Sequence, residues 1–125
     1  MKVKDSWAVR KALMRPHHSR MELAVRIRLR NLGYAPSMDY SFTVKNWQDR
    51  EVKTTPDFVF FREMWAFYLD GSVHLNKQYK DQVLRKNLAR RHGFKVATVP
   101  YDGNSKSEVD KICKAIIGLV SEVKT

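Results

Sequence analysis

The hydrophobic and polar positions of the first third of the chain follow a helical spacing. Val25 and Leu29 lie four residues apart, so they would share one face of a helix. The stretch 19–32 is rich in Leu, Ala, Met, Arg and Glu, and Gly33 follows it as a suitable stop residue. We therefore predict a helix over residues 19–32, preceded by a shorter one over residues 5–15.

The next part of the chain changes to a period of two. Alternation of apolar and polar residues over 40–44 predicts a half-buried strand, and the polar stretch 46–53 predicts a turn region. The apolar runs 56–61 and 65–69 predict two more strands, and residues 62–64 would join them as a tight hairpin.

The last part of the chain returns to helical spacing on both sides of one strand. We predict a loop over 71–79, a basic helix over 80–92, a strand over 94–100 and a final helix over 105–123. The strand would lie parallel to an earlier strand, because a helix separates the two. The predicted order is α-α-β-β-β-α-β-α. It describes an α/β (α+β) fold with a mixed central sheet flanked by helices, in a single domain over residues 1–125.

Charge makes nucleic acid the leading candidate partner. The 125 residues include 24 Lys and Arg against 13 Asp and Glu, which gives a formal net charge of +11. Nine basic and two acidic residues fall within 1–35, and seven basic and one acidic residue fall within 75–95. A body this basic gains free energy from polyanions because phosphate-rich surfaces release their counterions.

Cysteine content and hydropathy restrict the class of protein further. Cys113 is the only cysteine, so the sequence supports neither an internal disulfide nor a multi-cysteine zinc site. The longest apolar runs span a few residues, far fewer than the roughly 20 that a transmembrane helix needs. We expect no membrane partner and no signal peptide, and a cytoplasmic, nucleoid-associated location.

Two aspartates are placed where neighbouring strands would meet. Asp57 begins one predicted strand and Asp70 ends the next. A tight hairpin brings these two positions to one end of the sheet, at a solvent-accessible edge. Two carboxylates that close repel each other unless a cation lies between them, and oxygen ligands of this kind suit Mg²⁺. The alternative is that both are turn-forming residues at strand ends, as Asp often is.

Three further residues could contribute to such a site. His74 lies four residues past Asp70 and is the side chain best matched to proton transfer near neutral pH. Glu22 stands three and seven residues before Val25 and Leu29, so it points toward the sheet, although it also fits a capping box. Asp81 would begin the basic helix, where the helix dipole alone explains a carboxylate.

Together these residues resemble a known motif. It consists of Glu22, Pro56-Asp57, Asp70-Gly-Ser-Val-His74, Asp81 and Gly93-Phe-Lys-Val. The chain resembles the very-short-patch-repair (Vsr-like) branch of the PD-(D/E)xK nucleases, and within it the EDxHD subgroup, over roughly residues 5–103. By this likeness Glu22, Asp57, His74 and Asp81 match the four letters of the motif, and Asp70 stands at its variable position.

The resemblance implies a restriction-endonuclease-like fold and Mg²⁺-dependent hydrolysis of DNA, with Mn²⁺ able to substitute. Asp57 and Asp70 would hold the metal, His74 would orient or deprotonate a water, and Glu22 and Asp81 would hold surrounding waters or the imidazole. No structural zinc is expected, because Cys113 cannot supply the zinc site of the repair enzymes. Asp70 also stands where those enzymes have histidine, so specificity for T/G mismatches is not expected.

The basic residues near these acids would grip the DNA backbone of a duplex without reading its sequence. They are Arg26, Arg30, Lys77, Lys80, Arg85 and Lys86. Two alternatives remain open: a non-catalytic nucleic-acid-binding module with the same fold, and an adaptor protein of a ribonucleoprotein. The oligomeric state, monomer or homodimer, also stays open.

Overall fold

The structure, a computed structural model, has a mixed α+β architecture. It describes residues 20–71, 75–103 and 105–122, with side chains described from Tyr79 onward in the second range. The helix predicted over residues 5–15 lies outside these ranges. In chain order the described elements are α1 (Arg20–Asn31), β1 (Phe42–Lys45), β2 (Glu51–Thr54), β3 (Phe58–Phe60), β4 (Trp65–Asp70), α2 (Leu75–His92), β5 (Lys95–Pro100) and α3 (Lys106–Ser121).

The central sheet has the strand order β3-β4-β5. β3 and β4 are antiparallel, with Phe58 opposite Phe67. β4 and β5 are parallel, with Trp65 opposite Lys95, and α2 is the crossover between them. The sheet is therefore mixed, as the sequence predicted, and the parallel strand follows a helical crossover as expected.

A second sheet corrects the prediction for residues 46–53. β2 pairs antiparallel with β1, so the polar segment contains a strand and only the short connection between β1 and β2 is a turn. β2 alternates between outward Glu51 and Lys53 and inward Val52 and Thr54. β2 has only four residues, two of them charged, so its alternation of apolar and polar side chains is too short to recognise in the sequence. From residue 20 onward, four strands therefore precede the crossover helix, and the hairpin β1–β2 forms a sheet of its own.

The crossover helix also starts earlier than predicted. α2 begins at Leu75, so residues 75–79, predicted as loop, are helical. Its opening sequence is polar and lacks the apolar stripe that marks the later turns at Leu84 and Leu88. Lys and Gln are nevertheless good helix formers, which is why a polar start does not prevent the helix. Asp81 consequently lies in the second turn rather than at the helix start, and the dipole argument for it does not hold.

Helices cover one face of the central sheet, and a helix with the hairpin covers the other. α1 and α3 pack on the face that carries Phe58, Phe67 and Leu69. α2 and the hairpin β1–β2 pack on the face that carries Val59 and Tyr68. β3 and β4 are thus buried on both sides, which explains their nearly continuous apolar sequence.

Gly33 terminates α1, as the sequence predicted, and Ser105 caps α3. Gly33 has a φ of 94°, its N–H donates to Arg30 O, and the Tyr34 N–H donates to Leu29 O at 2.8 Å. This is a Schellman motif, which glycine favours because φ is positive. At α3, the Ser105 side chain accepts a hydrogen bond from the Glu108 N–H and caps the helix.

Candidate active site

Two buried carboxyl groups meet where α1 crosses the end of the central sheet. Glu22, the third residue of α1, shares the buried face of that helix with Met21 and Val25 and is 4% exposed. Asp57 directly precedes β3 and is 8% exposed. The two side chains are hydrogen-bonded to each other. The prediction that Glu22 points toward the sheet is therefore confirmed.

β4 fixes the position of Asp57. The Asp57 N–H donates to Phe67 O at 2.8 Å, and its Oδ2 accepts the Leu69 N–H at 2.6 Å. The Asp57 carboxylate thus accepts the Leu69 N–H in place of a backbone carbonyl, just before β3 begins. This burial corrects the expectation of a solvent-accessible strand end, since the first turn of α1 lies over the position and brings Glu22 to it.

Burial dominates the electrostatics of Asp57. Loss of solvent raises the pKa of this carboxyl, and the negative charge of Asp70 also raises it. The hydrogen bonds from Glu22 and Leu69 and the charge of Arg85 lower it, but the net direction is upward. Two buried carboxyls in hydrogen-bond contact require a proton or a cation to offset their charge. The pair is therefore a place where a bound cation would be stabilised.

This raised pKa gives a prediction about stability. Relative to Asp57→Asn, the metal-free wild-type protein should lose stability as pH rises from 3.8, the ordinary pKa, through the raised pKa of folded Asp57. The sign follows because the folded state resists ionising this group. Each unit of elevation corresponds to about 1.4 kcal/mol. Asparagine keeps an acceptor for the Leu69 N–H, so comparison of the two proteins isolates the effect of the Asp57 charge on stability.

Thermal unfolding in EDTA between pH 4 and 9 measures this difference. The variant should have the higher Tm at pH 8, and the gap should close toward pH 4. A wild-type Tm that stays level with the variant across this range would contradict the raised pKa of Asp57.

Asp70 lies at the end of β4, on the same end of the sheet as Asp57, as predicted. Its two carboxylate oxygens accept hydrogen bonds from Arg85 at 3.0 and 3.1 Å. Arg85 also donates to Thr98 Oγ1 at 2.8 Å and lies 4.2 Å from the Tyr68 ring centroid. The arginine therefore holds Asp70 in place, and in this arrangement any further ligand of Asp70 competes with a bidentate ion pair.

Arg85 was predicted from the sequence as a contact to the DNA backbone. Its side chain is only 16% exposed, and its guanidinium already donates to Asp70 and to Thr98. Asp81 approaches the same guanidinium at 3.9 Å, four residues earlier on α2. Arg85, Asp81 and Asp70 therefore form one charge cluster beside the carboxyl pair, in which the arginine is largely buried and both aspartates are partly exposed.

The other predicted basic site residues differ in exposure. Arg26 lies one turn after Glu22 on α1 and is half-buried, while Arg30, Lys80 and Lys86 are exposed. His74 and the side chain of Lys77 lie outside the described residues. His74 keeps its role in proton transfer as a prediction.

Sequence reasoning missed the contribution of Tyr68. Its hydroxyl is hydrogen-bonded to Thr54 Oγ1 at 2.7 Å, and burial raises the pKa of Tyr68 to about 12. The ring therefore stays neutral beneath Arg85 and links β4 to the hairpin. No signal identified Thr54 as a partner, because the strand that carries it was read as a turn.

The donor chemistry of the carboxyl pair fits a hard cation. Glu22 and Asp57 supply only carboxylate oxygens, and Mg²⁺ commonly takes one or two carboxylates from a protein and completes its shell with water. Among the residues that the structure describes, no three His, Cys, Asp or Glu side chains converge as a metal-binding group. Glu22 and Asp57 are therefore the residues that would hold Mg²⁺. Asp70, predicted from the sequence as a ligand, lies beside them in an ion pair with Arg85.

Two broader findings complete this description. None of the helices within the described ranges is long and apolar enough to cross a membrane. Comparison of the chain with protein-family models, with curated proteins and with solved structures found no significant match.

Proposed function

We propose that this chain is a Mg²⁺-dependent DNA endonuclease that hydrolyses phosphodiester bonds. The observation that carries the proposal is the hydrogen-bonded pair of buried carboxyls, Glu22 and Asp57, at the end of the central sheet. Burying two acids together is unfavourable for folding alone. A site that needs a cation for chemistry explains why the chain would keep both.

The metal and the predicted site residues would take different parts in the reaction. Bound Mg²⁺ would polarise the scissile phosphate and lower the pKa of a water molecule. Glu22 and Asp57 supply negative charge to the cation, and Arg85 keeps the Asp70 carboxylate beside them. His74, by its position after Asp70, would orient or deprotonate the attacking water.

Basic residues on two helices near the acids support DNA as the substrate. Arg26 follows Glu22 by one helical turn, so its guanidinium starts from the same face of α1 as the pair. On α2, Lys80 is exposed near the start of the helix, which is the end that follows Asp70. A backbone phosphate near the carboxyl pair would therefore meet cations from two helices.

The alternative is a non-catalytic nucleic-acid-binding module. In that case the Glu22–Asp57 pair would share a proton permanently and act as a structural hydrogen bond. The basic surface would serve binding in the same way, so the two functions differ in metal-dependent turnover and not in affinity.

Cleavage of supercoiled plasmid distinguishes them. The wild-type protein should convert supercoiled DNA to nicked or linear forms with Mg²⁺ or Mn²⁺ and leave it intact in EDTA. Glu63→Gln provides a control preparation, since Glu63 lies in the β3–β4 turn at the opposite end of the sheet and should cleave normally. Absence of cleavage of supercoiled, nicked and single-stranded DNA with either metal would favour the binding module.

A further inference from the structure

The hairpin β1–β2 is held rigidly along α2. The His92 ring is hydrogen-bonded through Nε2 to Thr43 O at 2.8 Å, and Asn87 Nδ2 donates to Lys45 O at 2.7 Å. Arg91 forms an ion pair with Glu51 at 2.8 Å. These contacts fix both strands of the hairpin against one helix.

The order of the contacts gives the direction of the hairpin. Thr43 lies beside His92 at the end of α2, Lys45 beside Asn87, and Trp47 beside Lys80 near its start. β1 therefore runs antiparallel to α2. Because α2 begins just after Asp70, the tip of the hairpin lies at the same end of the sheet as the carboxyl pair.

The tip presents an indole to solvent. Trp47 is 41% exposed, although Lys80 Nζ lies 4.4 Å from its ring centroid. The turn that carries it is fixed, since Asn46 Oδ1 accepts the Gln48 and Arg50 N–H groups at 2.8 and 3.0 Å. By contrast, the exposed ring of Phe61 packs edge-to-face against Phe94. Among the described residues, Trp47 contacts no other aromatic ring.

We infer that Trp47 and Lys80 form a stacking site for an unpaired nucleobase, next to the proposed cleavage site. Lys80 Nζ lies over one face of the indole, so a base would stack on the other face. Such stacking is independent of sequence, because every base has a π-face. The ammonium group of Lys80 lies where it can neutralise the phosphate of the stacked nucleotide. A base stacked on both sides within an intact duplex offers no free face, so the favoured substrate has an unpaired or extruded base.

Charge favours nucleic acid over a protein partner at this surface. The basic side chains at the tip, Lys80 on α2 and Arg50 in the turn, are exposed, against one exposed acid of the turn, Asp49. Glu51 already pairs with Arg91 and Lys45. This inference depends on the proposed nucleic-acid substrate, but binding tests it without cleavage.

Fluorescence anisotropy in EDTA measures the inferred stacking. Three labelled DNA probes are compared: a 12-nucleotide single strand, a duplex with one unpaired base, and the same duplex fully paired. Trp47→Ala should raise the Kd for the first two about 5- to 150-fold and the Kd for the paired duplex less than about 2-fold. Trp47→Phe should retain most of the affinity, because it keeps an aromatic face.

Phe61→Ala is the matched control. Phe61 is 43% exposed but lies in the β3–β4 turn at the other end of the sheet, so its replacement should leave all three affinities unchanged. An unchanged Kd in Trp47→Ala, an equal loss on all three probes, or an equal loss in Trp47→Phe would overturn the inference. So would wild-type protein that binds none of the probes, which would assign the hairpin tip to a protein partner. Failure of plasmid cleavage alone would overturn the proposed nuclease and leave the stacking site intact.

Discussion

Asp57→Asn should reduce Mg²⁺-dependent DNA cleavage by at least about 10³-fold while leaving the fold intact. The substitution removes the charge that would hold the cation but keeps the size of the side chain and an acceptor for the Leu69 N–H. Loss of a group that stabilises charge in the transition state commonly has effects of this size. Turnover of supercoiled plasmid and far-UV circular dichroism, measured on the same preparation, test the two parts of this expectation.

The same variant gives a result of opposite sign in stability, which separates function from folding. Burial raises the pKa of Asp57, so ionisation of this carboxyl at neutral pH destabilises the metal-free fold. Asp57→Asn should then be more stable and inactive. A variant that cleaves at near the wild-type rate would remove Asp57 from the site, and with it most of the support for a nuclease.

The strand ends of the candidate site were predictable from the sequence. Asp57 follows Pro56 at the start of an apolar run, and Asp70 precedes Gly71 at the end of the next. An antiparallel pair joined by a short turn has only one way to bring such ends together. Glu22 was predictable for a similar reason, since the helical period relates it to Val25 and Leu29, both fully buried.

The contacts made by long side chains were not predictable in the same way. Arg85 reaches Asp70, Thr98 and the Tyr68 ring, which come from two strands far from it in sequence. Charge composition marks an arginine as basic but does not indicate whether it faces solvent or pairs with an acid of the same chain. The burial of Asp57 escaped prediction because it depends on where α1 crosses the sheet.

The hairpin was missed because its second strand is short and half charged. Glu51 and Lys53 face outward, and Glu51 pairs with Arg91 on α2, so its charge stabilises the strand through a distant partner. Missing β2 also hid Thr54 as the partner of Tyr68. For the same reason, the position of Trp47 near the acids was not predicted. It depends on the pairing of β1 with β2 and on the packing of this hairpin along α2.

Glu22→Gln tests whether the acid pair works as a unit. Glutamine has nearly the same size as glutamate and can donate its amide N–H to Asp57, so it imitates the protonated acid in the observed hydrogen bond. We expect the Tm in EDTA to equal or exceed that of the wild type. Cleavage with Mg²⁺ should fall by about 10²-fold or more, a loss of about 2.7 kcal/mol or greater in transition-state stabilisation, because one of the two charges is gone.

Glu63→Gln is the matched control for this charge change, since it removes one negative charge at the opposite end of the sheet. It should cleave at the wild-type rate. If Glu22→Gln also cleaves normally, Glu22 only caps α1 and supports Asp57 by a hydrogen bond that an amide replaces equally well. If Glu22→Gln instead unfolds, the charge of the buried pair contributes to folding. We do not expect this result, because Glu22 is buried on the same helix face as Val25. Retained stability with lost cleavage is the one combination that requires the Glu22 carboxylate for chemistry.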